Sequence, residues 1–240
     1  MTFSIIVPTF NEERIIAKTL GAIRHHLSSI DYELIVTDDG STDRTCEIAE
    51  RYADRVVCLT GTKGTIGANR NRGARVAHGE YLVFVDADTS IPRANDCFAA
   101  IAADFKDNPR LVGMTVKIQF APGEERVIDA IMHGILSRVL WFMNTVLRTG
   151  TASGEFQAIR RDAFEKLHGY SESLPVGEDN ELFLRLSRLG RTQIDLRLTA
   201  YTDNRRIRQL GWPRLLKLWM VNYCCVAFLH RSHATEWPPK

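Results

Sequence analysis

The chain has 240 residues, 45% of them apolar, enough to bury a substantial core in one large α/β domain. Its 31 basic against 29 acidic residues leave a formal net charge of +2, far from the dense positive field that non-specific nucleic-acid binding requires. Five cysteines, Cys46, Cys58, Cys97, Cys224 and Cys225, form no CxxC pair and no zinc spacing, which favours a reducing cytoplasm; the stretch from Met1 to Pro8 has no basic n-region and reads as a strand, not a signal peptide.

Phe3 to Val7 is a continuous apolar, β-branched run, and Glu33 to Thr37 and Tyr81 to Val85 repeat the pattern, as expected of parallel strands covered on both faces. Between the first two, Asn11 to Leu27 sets Ile15, Ile16, Leu20 and Ile23 on one helical face. After the second, Thr42 to Tyr52 predicts a helix that Ser41 or Thr42 can cap. Such alternation predicts βαβ units with helices on both faces of a twisted, mostly parallel sheet. Ligands of such sheets gather at the carboxyl ends of the strands. Those ends carry Pro8-Thr9-Phe10-Asn11-Glu12, Asp38-Asp39-Gly40-Ser41 and Asp86-Ala87-Asp88, so one edge collects several carboxylates. Farther along come a strand near Met114 to Phe120, a long helix from Val127 to Leu147, a glycine-rich passage from Gly150 to Gly154, an amphipathic helix from Asp179 to Leu189 stopped by Gly190, and a basic tail. No linker or repeat cuts the chain into independent domains.

Asp86 and Asp88 at a strand end suit magnesium or manganese, which take one or two carboxylates and complete their shell from phosphate and water; alone, the pair is also an ordinary turn. Asp39 can accept hydrogen bonds from a nucleobase or a ribose hydroxyl, while Asp43 suits a helix N-terminus. The segment Gly61 to Gly73, with Arg70 and Arg72, can let backbone N–H groups and guanidinium forks approach a diphosphate, or can be a loop entering a basic helix; it is neither a Walker A loop nor GxGxxG.

Four motifs then stand in register: Ile5-Ile-Val-Pro-Thr-Phe-Asn-Glu-Glu, Glu33-Leu-Ile-Val-Thr-Asp-Asp-Gly-Ser-Thr-Asp, Gly67-Ala-Asn-Arg-Asn-Arg-Gly-Ala and Phe84-Val-Asp-Ala-Asp. In order and spacing they resemble family 2 glycosyltransferases, and Gly154-Glu-Phe-Gln-Ala-Ile-Arg-Arg and Gly177-Glu-Asp-Asn-Glu-Leu-Phe-Leu extend the resemblance over about the first two hundred residues. It implies a single GT-A domain over 1–240, with a Rossmann-like nucleotide-sugar-binding half at 1–90, an acceptor half at 91–200 and a tail at 201–240. It further implies that Pro8, Thr9, Glu12 and Asp39 line a nucleoside pocket, that Arg70 lies near the donor diphosphate, and that Asp88, helped by Asp86, holds the metal. Asp179 maps onto the general base of an inverting transfer from a UDP- or GDP-type sugar to an acceptor hydroxyl. The residues alone also allow Glu178 and Asp179 to be mere helix-dipole partners.

Arg205, Arg206 and Trp212 lie in a basic, aromatic-ended segment loosely similar to one that some processive members place over the donor; a solvated basic face is the equal alternative. Like Glu178, they are candidate acceptor or diphosphate contacts. His133 or His230 can touch an acceptor. Asp129, His133, Arg138 and Asn144 interrupt Val127 to Leu147, which argues against a membrane span. An amphipathic helix at a cytoplasmic membrane surface, serving a lipid-linked or glycan acceptor, competes with a core or homodimer role. A nucleotidyltransferase is disfavoured because no glycine-rich loop follows the first strand, and a non-catalytic nucleotide-sugar module because Asp86, Asp88 and Asp179 are all retained.

Overall fold

The computed structural model describes residues 1–59, 63–229 and 231–234. Gly61 and Thr62 of the glycine-rich segment, and His230, lie outside the described residues. Seven strands form one sheet: β1 (Phe3–Thr9), β2 (Tyr32–Asp38), β3 (Arg55–Cys58), β4 (Tyr81–Val85), β5 (Leu111–Phe120), β6 (Phe156–Arg160) and β7 (Arg191–Thr202), in the order β3-β2-β1-β4-β6-β5-β7. All pairings are parallel except those of β6, which runs against both β4 and β5. The chain winds outward from β1 to β3 and then returns to place β4 on the other side of β1. The direction of winding reverses there, which opens a crevice at the carboxyl ends of these strands.

Alternation along β1 explains the two cores. Phe3, Ile5 and Val7 pack with helices α1 (Ile16–His26) and α4 (Ala94–Asp107), whereas Ile6 joins Ile35, Leu82 and Phe84 on the opposite face with α6 (Arg161–Lys166) and α7 (Glu178–Leu189). On that second face α3 (Ile66–Arg75) presses directly on the sheet. A Cβ at Gly73 would stand 2.5 Å from Ile6 Cγ2 and 2.9 Å from Thr37 Cγ2, and one at Gly67 would stand 3.0 Å from the Ser171 carbonyl oxygen. Gly67 and Gly73 therefore serve the close packing of α3.

The predicted helix over Thr42 to Tyr52 is shorter, α2 (Thr45–Ala49), and neither Ser41 nor Thr42 caps it. Asp43 accepts the Thr45 N–H instead, because the Ser41 hydroxyl is committed elsewhere, donating to Asp38 and accepting the Asn11 N–H at 2.7 Å. Cys46 of α2 and Cys58 of β3 are joined in a disulfide, a pairing their 12-residue separation did not announce.

The long helix is α5 (Val127–Phe142), continued by a π-helical turn, Met143–Leu147. By length and composition the 21 residues suffice to cross a bilayer. Of the polar interruptions that argue against a span, Asp129, His133 and Asn144 are buried, as is Ser137, where α5 meets β5 and β7, while Arg138 is exposed. The tail folds back as α8 (Arg205–Leu210) and α9 (Trp212–Leu229), with Ile207, Trp212 and Leu215 forming a small third core with Phe120.

Candidate active site

The rim of the crevice is organised from α3. Thr65 caps this helix by accepting the Ala68 N–H, and one turn later Asn69, Arg70 and Asn71 are all buried despite their polarity. Buried polar groups persist only where they are paired, and here each has partners. Arg70, 2% exposed, donates to Glu178 Oε1 at 2.7 Å, Asp86 Oδ1 at 2.9 Å and the Gly154 carbonyl at 2.8 Å, with the Tyr170 ring 5.4 Å from its guanidinium carbon. Arg72 donates to buried Asp39 and to Asn69 Oδ1. Asn69 in turn donates to the Thr9 carbonyl, which also accepts the Asp39 N–H. One helix thus binds the ends of β1, β2 and β4, the Gly154 loop and the start of α7 into a single rim.

Glu178 and Asp179 open α7 immediately after Gly177, whose φ of +86° suits glycine and which leaves no room for a side chain beside Asn222 of α9. Asn180 fixes one oxygen of Asp179, its N–H and side-chain amide donating to Oδ1 at 2.7 and 3.0 Å. The other oxygen, Oδ2, faces Gly154, where a Cβ would come within 3.2 Å of it and 3.7 Å of Arg70. Burial pushes the Asp179 carboxyl up to about 6, against its hydrogen bonds from Asn180 and the attraction of Arg70. Burial, reinforced by Asp179, raises Glu178 as well, against the pull of Arg70. A single guanidinium faces three acids here, and a buried carboxyl without a full countercharge prefers its proton.

Asp86 and Asp88 occupy the turn after β4, which is closed by the Thr89 N–H on the Asp86 carbonyl and tied to the opposite loop through the Asp86 N–H on Glu155. Among the described residues, the one cluster of three metal-ligating side chains is Asp38, Cys46 and Cys58, and its two sulfurs are bonded to each other. What the β4 turn offers a hard cation is therefore two carboxylates, the number magnesium or manganese takes when substrate phosphates and water fill the remaining positions. The residues fit such an ion.

The other candidates fall into two groups. Pro8 and Thr9 are buried at the end of β1, Thr9 donating to Asp38 Oδ2 at 2.9 Å, so they brace the crevice from behind; Asp38 itself holds the Gly40 and Ser41 N–H groups. Glu12, partly exposed at the entrance to α1, donates its N–H to Thr45. Arg70, expected near a diphosphate, is at the rim with its terminal nitrogens on Glu178, Asp86 and the Gly154 carbonyl. Glu178, expected as a ligand contact, is buried behind Asp179 in the Arg70 pair. Trp212 is not a surface contact: it is interior, its indole N–H donating to Asp129 Oδ1 at 2.8 Å. Arg205 pairs with Asp203, and Arg206 lies partly buried beside it. His133 is buried and bonded to Glu125.

The roles of Arg72, Asn69, Gly154 and Asn180 leave one signal in the sequence: Asn69 and Arg72 stand three apart between Gly67 and Ala74, the spacing of helical neighbours.

The family model described as glycosyl transferase family 2 matches residues 4–168, more than half of the chain. A curated relative, poly(ribitol-phosphate) beta-N-acetylglucosaminyltransferase TarS of Staphylococcus aureus, is 38% identical over 96 residues, which cover 38% of this chain and 17% of TarS. The solved structure of S. aureus TarS 1-349 in complex with UDP-GlcNAc superimposes with a TM-score of 0.66 at 22% identity, covering 85% of this chain and 59% of that one. The mannosyltransferase PcManGT of Pyrobaculum calidifontis, in complex with GDP-Man and Mn2+, gives 0.66 at 22% identity, covering 89% and 61%. The chain therefore spans less than two thirds of these proteins, and the shared fold is the GT-A fold.

Proposed function

The chain belongs to glycosyl transferase family 2, and from that premise we propose that it is an inverting glycosyltransferase, moving a sugar from a UDP- or GDP-type donor to an acceptor hydroxyl on a glycan or lipid-linked precursor. The observation that carries the reading is the α3 rim: acids from β2, β4 and α7 meet at one sheet edge because Arg70 and Arg72 hold them there.

In this reading Asp39, held by Arg72, presents a fixed acceptor to the nucleoside. Asp86 and Asp88 hold a divalent cation, which when bound supplies the charge that stabilises a departing nucleoside diphosphate. Arg70 positions Asp86 and the start of α7 rather than gripping phosphate itself. Asp179 Oδ2 takes the proton of the acceptor hydroxyl as that oxygen attacks the anomeric carbon from the face opposite the leaving group, so configuration inverts. The raised pKa makes Asp179 a stronger base than an exposed aspartate while leaving it ionised at neutral pH. Ser41, Asp38 and Thr9 keep the β1 and β2 loops in register.

A panel of UDP- and GDP-sugars, with and without magnesium or manganese, tests the proposal by nucleoside-diphosphate release and thermal shift. One donor is expected to raise the melting midpoint and to be consumed only with metal. A shift without turnover would instead make the chain a nucleotide-sugar-binding module, and release of pyrophosphate when a nucleoside triphosphate and a sugar 1-phosphate are supplied in place of the nucleotide sugar would make it a nucleotidyltransferase.

A further inference from the structure

The α5 helix and its π turn carry an inverted pattern. Their buried positions are polar, Asp129, His133, Ser137 and Asn144, while Val127, Ile131, Ile135, Val139, Phe142 and Val146 are exposed, Val127 at 80%. At 3.6 residues per turn the six apolar positions span an arc of roughly 120°, centred opposite the arc of the four polar ones. Three of these buried groups are paired: Asp129 with Trp212 and Arg208, His133 with Glu125, Asn144 with Thr151 and Thr192. The helix is thus locked in this rotation and cannot turn its apolar side inward. A continuous apolar stripe this long on a water-soluble surface marks a docking face.

Charge says what docks. From residue 126 to 150 the sole acid is Asp129, buried and paired, and the exposed charges are Arg126, Arg138 and Arg148. The nearby α9, whose Leu216 and Trp219 pack with Met132 and Leu136 of α5 around the same third core, shows Arg214 and Lys217, exposes Met220 and Phe228, and has no acid along its length. Trp141 is exposed near the end of the stripe. An apolar face rimmed by cations and an aromatic ring matches the interface of an anionic bilayer, where apolar side chains enter the acyl boundary and arginines meet lipid phosphates. A second copy of the same face would bring further arginines and no acids.

We infer that α5, its π turn and the outer side of α9 bind the surface of an anionic membrane, with α5 lying in the interface plane. The in-plane orientation follows from the inner face: crossing the bilayer would carry the β5 and β7 attachments of α5 into hydrocarbon. The surface also leads into the site, since Asn144 binds Thr151, whose hydroxyl donates to Asn180, the residue that fixes Asp179.

Vesicle flotation of the full chain tests this, using phosphatidylcholine vesicles with and without phosphatidylglycerol. Binding is expected to phosphatidylglycerol-containing vesicles, to weaken with salt, and to fall about tenfold in an Ile131→Asp/Ile135→Asp variant whose circular dichroism is unchanged. Tryptophan emission should shift to the blue on adding anionic vesicles, and Trp141→Phe should remove most of that shift. Wild-type protein that stays with the soluble fraction overturns the inference, as does a dimer that the Ile131/Ile135 variant dissociates without any vesicle binding. Bound protein released only by detergent, and not by alkaline wash, overturns the in-plane arrangement.

Discussion

Helices α3 and α5 both turn polar side chains inward, and for different ends. On α3 the buried Asn69, Arg70 and Asn71 meet acids, carbonyls and amides contributed by at least four other segments, so burial there assembles chemistry. On α5 the buried Asp129, His133 and Asn144 find partners mostly in flanking loops and the tail, and the result is an outer face left apolar. Inward polarity therefore has no single meaning. What distinguishes the two helices is the outer side: α3 faces the rest of the domain across Tyr170 and α7, whereas α5 faces solvent.

The largest effect that would break this contrast is at Arg70. Arg70→Ala strands Glu178 and Asp86 without their cation and is expected to cost about 3–5 kcal/mol in denaturant unfolding, as for other buried ion pairs with one partner removed. Arg70→Lys should recover only part of it, because an ammonium cannot fork to two acids and a carbonyl as the guanidinium does. Asp179→Asn is expected to lower transfer by about 10²–10⁴-fold while leaving donor-induced thermal shift in place; near-normal turnover would remove Asp179 from the mechanism.

The pH profile sharpens the same site. Asp179 is a raised acid, so the rate should fall as pH drops through about 6, by roughly tenfold per unit below it, and not through the ordinary aspartate range near 4. The sign for stability is opposite to that of a salt-bridged acid. Folded Asp179 and Glu178 hold protons more tightly than the unfolded chain, so this contribution is present below the ordinary carboxylate range and is lost as pH rises through their folded values. Urea midpoints of wild type and Asp179→Asn across that window should converge at the acid end and separate above it, with the variant the more stable.

Two smaller substitutions complete the contrast. Gly73→Ala forces a methyl against Ile6 and Thr37 and is expected to destabilise by about 1–3 kcal/mol, the range for overpacking. Ile135→Gln on the outer side of α5, 49% exposed, should change unfolding free energy by less than about 0.5 kcal/mol. A large loss there would mean that the apolar face is covered within the folded chain.

Local pattern determined much of this protein. The apolar runs of β1, β2 and β4, the acids that follow each, and the α7 helix ended by Gly190 are legible because strand and helix periodicities are set by neighbours a few residues apart. Tertiary structure alone decided the rest. That β6 runs antiparallel between β4 and β5, that Cys46 meets Cys58, and that Trp212 faces inward to Asp129 depend on segments far apart in the chain. The same holds for Arg70 and Glu178, 108 residues apart, where the sequence shows a cation and an acid but not that each is the other's countercharge. For α5, periodicity defines a polar and an apolar side without saying which points at the sheet. Only the buried partners of Asp129, His133 and Asn144 settle that orientation, because an unpaired polar group would cost more to bury than the exposed isoleucines cost to leave in water.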